Sequence, residues 1–222
     1  MKVALVSYSQ SIPGTSTETS ITELVAYCAR VSNPSNQHNT ATNDRLIKYL
    51  INNKHWSPFE MVNICLEIES TRDIVRQILR HRSFSFQEFS QRYAVAELGF
   101  EYKEARIQDT KNRQNSISLD DTDPSTSLLQ DEWQGKQKQI ADLAETNYKW
   151  ALANGIAKEQ ARAVLPEGMT VSRIYMNGTL RSWIHYIELR SSNGTQKEHR
   201  DVAIACAKAI DAIFPMTELL GL

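Results

Sequence analysis

The chain has 222 residues, a net charge of −1, 23% charged and 41% hydrophobic residues. That is enough to bury a core, and it leaves no global field to draw the protein to nucleic acid or an anionic membrane. The apolar run at residues 1–7 is too short for a signal peptide, and no stretch approaches a membrane-spanning length. Cys28, Cys65 and Cys206 are scattered, lack metal-ligand spacing and fall in apolar patterns. They read as small buried thiols in a reducing, cytoplasmic compartment.

Residues 3–7 predict a short first strand. Ser20-Ile21-Thr22-Glu23 is a capping box, followed at helical spacing by Ile21, Leu24, Val25 and Cys28. A second helix is expected over 43–53, ahead of a break at Pro58. Val62, Ile64, Leu66 and Ile68 alternate with Asn63, Cys65, Glu67 and Glu69, the period of a half-buried strand. Residues 70–73 can cap a helix that turns Ile74, Ile78 and Leu79 inward and sets Arg72, Arg76 and Arg80 on one face. Beyond Arg80 the chain reads as a loop.

Residues 106–127 have the polar composition of a surface loop. A long helix is expected over 128–154, with Gly135 as a bend and Gly155 as its stop. A short helix over 157–164, a strand over 170–176 and a helix over 179–189 follow. Thr195-Gln196-Lys197-Glu198 reads as a second capping box, opening a final helix that buries Val202, Cys206, Ala209, Ile210 and Ile213. The whole is read as one α+β domain, a central sheet flanked by helices.

No glycine-rich phosphate loop and no zinc-type histidine cluster occurs. Cys28 lies close to Arg30 but on an apolar helix face, so a thiolate nucleophile has no support. What remains is arginine. Residues 71–92 hold five arginines and no lysine, and a guanidinium fork grips phosphates and carboxylates bidentately. Within this segment stand Arg80-His81-Arg82, then seven residues, then Ser90, Gln91 and Arg92.

That spacing resembles the signature of the flavin-dependent thymidylate synthases. Residues 29–32, 55–60, 160–166 and 177–190 are similar to flanking segments of the same family, in the same order. The resemblance covers most of the chain outside 106–127. It implies reductive methylation of dUMP to dTMP, with methylenetetrahydrofolate as carbon donor, FAD as hydride carrier and NADPH as reductant. It further implies an α+β homotetramer with sites shared between subunits, and a reaction that needs no cysteine attack on uracil.

By position, the resemblance assigns Ser57, Arg80, His81, Arg82, Glu88, Thr179, Arg181 and His185 to the flavin, with His55 and Glu60 near the ring. Thr179-Leu180-Arg181 stands where many members have Asn-x-Arg. Donors at the flavin's pyrimidine edge meet the negative charge gathered there on reduction. Gln77, Arg80, Glu88, Ser90, Gln91, Arg92, Arg162 and Arg190 are assigned to dUMP, and Arg190 to activating the uracil. A rival reading makes Arg72 to Arg92, with its interleaved phenylalanines, a grip for single-stranded nucleic acid. The near-neutral net charge argues against it.

Overall fold

The computed structural model describes residues 1–12, 20–120 and 122–222. Strand β1 (Lys2–Tyr8) opens the chain, followed by α1 (Ile21–Ala29) and α2 (Asn43–Asn52). Ser20 caps α1 as expected, its hydroxyl accepting the backbone N–H of Glu23 at 3.1 Å. A Schellman arrangement closes α2: Lys54 takes a left-handed φ of 58°, and the backbone N–H of His55 reaches back to the Leu50 carbonyl at 2.8 Å. This delivers the chain into a 3₁₀ turn, Ser57–Met61, and then into β2 (Asn63–Thr71).

Helix α3 (Arg72–Ile78) follows, and then β3 (Phe84–Glu88), where a loop was expected. The alternation of Phe84 and Phe86 with Ser85 and Gln87 is the period-two signal that marks this strand. Two further strands, β4 (Arg106–Gln108) and β5 (Ser116–Ser118), pair as a small hairpin inside the polar stretch 106–127; Asp121 of that stretch lies outside the described residues. Helix α4 (Pro124–Ala153) begins earlier than expected, because Asp123 caps it and Pro124 occupies its first position. Gly135 lies within this helix and does not end it. The remaining elements are α5 (Lys158–Ala161), β6 (Val171–Thr179), α6 (Leu180–Arg190), α7 (Lys197–Ile210) and α8 (Met216–Leu220).

Four strands form one antiparallel sheet in the order β1-β2-β6-β3. Ile64, Leu66 and Ile68 of β2 and Ile174 and Met176 of β6 are buried on one face with Trp183, Ile184 and Ile187 of α6 and Val202, Cys206 and Ile210 of α7. The other face carries Glu67, Glu69, Arg173 and Tyr175, tied across the strands. This is the division expected of a sheet covered on one side. The Trp183 indole N–H donates to the Ile64 carbonyl at 3.0 Å, which locks α6 onto β2 without leaving a buried donor unsatisfied. A Cβ at Gly178 would overlap the Phe84 ring, so glycine is required there for β3 to lie against β6.

Further sequence expectations need correction: Ala209 and Ile213 are only partly buried, and Ile213 lies past the end of α7. Cys206 is buried, but Cys28 and Cys65 are only partly so; Cys65 follows the outward phase of β2 rather than the inward phase of Ile64 and Leu66. Thr195 does not cap α7: its hydroxyl donates to the Leu189 carbonyl, and Glu198 turns to Arg106 instead.

Candidate functional site

The expected site residues gather in three places, and α6 connects two of them. At its N-terminal end, Thr179 caps the helix, its Oγ1 accepting the Ser182 N–H at 3.2 Å. Arg181 and His185 project from the next turns. With Glu60, Met61 and Ser83 they line a groove of about 520 Å³. Arg181 is ion-paired with Glu60, and the Trp56 ring meets His185 edge-on at 4.5 Å. Burial, then the nearby Arg181 charge, lower the His185 pKa. Ser57 opens the 3₁₀ turn that carries Glu60 and is exposed, as is His55.

At the C-terminal end of α6, Arg190 donates its Nε–H to His81 Nε2 at 2.9 Å. An imidazole that accepts this bond must be neutral, with its proton on Nδ1. Burial and then the Arg190 charge push the His81 pKa down to about 4, in agreement. Tyr186 packs edge-on to His81 at 4.8 Å. His199, wholly buried, touches the Tyr186 hydroxyl through Nε2 at 3.1 Å and Gln77 Oε1 through Nδ1 at 3.2 Å. Burial foremost, followed by the charges of Arg190 and His81, lowers its pKa to about 3. The turn between α3 and β3 joins this pocket to the groove, since the Ser182 hydroxyl donates to the Ser83 carbonyl at 3.3 Å.

The third place lies beyond β3. Ser90 Oγ accepts the Arg92 N–H at 3.4 Å, and the side-chain nitrogen of buried Gln91 has no hydrogen-bond partner. Arg92 faces the Glu159 carboxylate at 3.7 Å while Arg162 donates to the Glu159 carbonyl at 3.3 Å. Among the described residues, no hydrogen bond or ion pair links this cluster to Arg190 or Gln77. Glu88, just before it, accepts from Arg72 at 3.1 Å and Ser172 at 3.0 Å, both through Oε1. Among the described residues, its Oε2 accepts no hydrogen bond.

The arginines are unequal. Arg72 and Arg76 pair with Glu167, as expected for residues on one helix face. Arg80 lies past the helix end, and among the described residues neither it nor Arg82 has an ion pair or side-chain hydrogen bond; both are exposed. Among the described residues, Arg190 has only the neutral His81 as a side-chain partner. Burial raises the pKa of all three thiols, in Cys65 against a hydrogen bond with Ser7 that lowers it. None is poised as a thiolate.

Sequence reasoning missed Tyr186, His199 and the Arg106–Glu198 pair. The sequence reading assigns no role to Tyr186 or His199, and it takes the glutamate as a capping residue. Nothing local marks them, because their partners lie far away in the chain.

Comparison with known proteins adds four findings. The family described as thymidylate synthase complementing protein matches residues 16–216. A probable flavin-dependent thymidylate synthase of Paramecium bursaria Chlorella virus 1 is 51% identical over 193 residues, covering 87% of each chain. A flavin-dependent thymidylate synthase of Synechocystis sp. is 51% identical over 86% of this chain and 85% of its own length. Among solved structures, a UMP/dUMP methylase from Streptomyces cacaoi bound with 5-Br dUMP matches with a TM-score of 0.80 at 25% identity, covering 99% of this chain and 94% of that one.

Proposed function

The chain belongs to the flavin-dependent thymidylate synthases, and we propose that it converts dUMP to dTMP, with residues 1–222 acting as one catalytic domain. The observation that carries the reading is the Arg190–His81 pair, a partly buried guanidinium whose one side-chain partner among the described residues is a neutral imidazole. The imidazole fixes the cation without cancelling its charge. Arg190 is then free to stabilise the anion that forms as the uracil imide loses its proton. Such activation replaces a covalent nucleophile, in keeping with the raised thiol pKa values.

The residues fit FAD. Arg181, His185, Glu60 and Thr179 line the groove, Ser57 opens the turn that carries Glu60, and exposed Arg80 and Arg82 supply cations suited to a diphosphate. His81 and the free oxygen of Glu88 add further polar contacts. When bound, FAD supplies a hydride carrier between NADPH and the one-carbon unit from methylenetetrahydrofolate. Gln77, Arg80, Glu88 and Arg190 hold dUMP from one side; Ser90, Gln91, Arg92 and Arg162 hold it from the other.

Among the described residues no hydrogen bond or ion pair joins Arg190 or Gln77 to Ser90, Gln91, Arg92 or Arg162, which is in keeping with a homotetramer whose sites draw on neighbouring subunits. Exposed Leu128, Leu129, Trp133, Ile140, Leu143 and Trp150 on α4 offer apolar surface for that assembly. The free cysteines suit a cytoplasmic setting.

The test is an absorption spectrum of the purified protein, followed by turnover of dUMP with methylenetetrahydrofolate, FAD and NADPH. UMP is assayed in parallel. A yellow protein that forms dTMP supports the reading. A flavin-loaded protein that forms none overturns it, and a colourless protein that binds single-stranded oligonucleotides favours the nucleic-acid alternative.

A further inference from the structure

Arg106, the first residue of the hairpin of β4 and β5, reaches one of the three clusters through a continuous chain of side chains. Arg106 donates to Glu198 Oε1 at 2.5 Å, and Glu198 Oε2 accepts the amide N–H of Gln196 at 2.9 Å. Gln196 Oε1 accepts the Gln77 amide N–H at 2.8 Å, and Gln77 Oε1 meets His199 Nδ1 at 3.2 Å. His199 Nε2 meets the Tyr186 hydroxyl at 3.1 Å. We propose that Arg106, Glu198 and Gln196 are positioning residues that hold the Gln77 amide in one orientation for the nucleotide. The inference rests on the reading of Gln77 as a dUMP contact.

Direction is the core of the argument. A carboxylate only accepts, so Gln196 must turn its nitrogen to Glu198 and its oxygen to Gln77. Gln77 must then turn its nitrogen to Gln196 and its oxygen to His199. That oxygen requires the proton of His199 on Nδ1, which leaves Nε2 to accept from the Tyr186 hydroxyl. Every bond therefore points toward Glu198. One N–H of the Gln77 amide remains for a ligand acceptor, and the amide cannot flip without breaking two bonds.

The anchor is built to stay charged. Burial alone would raise the Glu198 pKa. The backbone N–H of its own residue, the Gln196 amide and Arg106 together bring it below the ordinary carboxylate value. The side chains of Arg106 and Glu198 are only 12% and 16% exposed. The backbone ahead of Arg106 is held as well: Gln130 accepts the Ala105 N–H at 2.6 Å, and Gln137 bonds both the N–H and the carbonyl of Lys103 at 2.8 Å. Helix α4 thereby fixes where the hairpin delivers its arginine. A purely structural ion pair would have no need of the Gln196 link.

The test uses the flavin-loaded full chain, with Glu198→Gln and Gln196→Met made singly and on top of Gln77→Ala. Glu198→Gln lets the amide of residue 198 donate or accept, and Gln196→Met keeps the ion pair while removing the link. Each should raise the dUMP KM about five- to tenfold, the scale of one lost hydrogen bond. The kcat, the NADPH KM and the flavin content should stay within about twofold of wild type. On the Gln77→Ala background neither change should add anything, because the effect runs through that side chain. Unchanged dUMP KM in folded Gln196→Met protein overturns the relay, as does full additivity with Gln77→Ala. Calorimetric dUMP binding separates this inference from the enzymatic reading. A wild type that binds dUMP without turnover sinks the reaction, whereas equal affinity in wild type and variants sinks the relay, and absence of dUMP binding sinks both.

Discussion

Between Thr71 and Tyr93 the fold treats two sets of arginines in opposite ways. Arg72 and Arg76, on α3, face Glu88 and Glu167 and are spent on structure. Arg80 and Arg82, immediately past the helix, face solvent with no carboxylate partner among the described residues. Composition and spacing make the four look alike, and only the paired or unpaired state separates them. A folded chain that leaves two neighbouring guanidiniums without counter-charge presents a site for an anionic ligand, since a paired cation would have to give up its partner first. Arg190 is the sharpest case, for its partner is an imidazole that stays neutral.

The largest expected effect is therefore at Arg190. Arg190→Lys keeps the charge but loses the planar fork and the Nε–H that engages His81. We expect kcat to fall on the order of 10²-fold, with a smaller rise in the dUMP KM. Steady-state kinetics with flavin content checked decides the point. A variant that keeps kcat and loses only affinity would make Arg190 a member of the binding set.

Arg72 should behave in the reverse manner. Arg72→Met leaves Glu88 with Ser172 alone and should cost about 1.5–3 kcal/mol of stability, the range for a hydrogen bond to a charged group. Urea unfolding measures it. A variant as stable as wild type would erase the distinction between the two sets.

The neutral imidazoles predict a pH dependence. In the unfolded chain a histidine titrates near 6.5, but folded His81 and His199 do so at about 4 and about 3. Between these limits the unfolded chain binds protons that the native chain excludes, so stability should fall as pH drops from 6.5 toward 4. Each histidine contributes a slope of at most about 1.4 kcal/mol per pH unit. His199→Gln should flatten the curve measured from pH 7.5 to 4.5, and an identical curve would place the acid sensitivity elsewhere.

Arg80→Gln removes a cation that no internal group depends on. Flavin or dUMP affinity should drop about tenfold, near the net worth of one charge-assisted hydrogen bond. The melting midpoint should stay in place. A fall in midpoint without loss of binding would give Arg80 a structural role.

The sequence made much of this architecture legible wherever the deciding forces are local. The Ser20 box, the alternation in β2 and the apolar stripe of α6 each state their own fold. The bulge between Leu5 and Ser7 in β1 and the pairing of β4 with β5 carry no such statement. Neither does the relay, because Gln77 and His199 are 122 residues apart and meet only once the sheet has assembled. The family resemblance named Arg80, Arg82 and Arg190 as site residues. It could not say which arginines would find a carboxylate, since Glu88, Glu167 and Glu198 offer the same charge in the sequence and differ only in where the fold delivers them.

The smallest expected effect lies on the open face of the sheet and closes the comparison from the paired side. Arg173 of β6 stands directly opposite Glu69 of β2 and bonds its carboxylate, within reach of Glu67 as well. Hydrogen bonding to Glu69 raises the Arg173 pKa, yet the guanidinium remains in contact with solvent, where side-chain entropy and screening consume most of the attraction. Arg173→Gln can still donate to Glu69 across the strands and should move the melting midpoint by less than about 3 °C. It should leave kcat and the dUMP KM untouched, because no expected site residue depends on this pair. Paired arginines would then rank by burial, with Arg72 mattering to stability and Arg173 hardly at all. A large fall in the midpoint for Arg173→Gln would show that pairing itself, rather than pairing out of solvent, is what the sheet relies on.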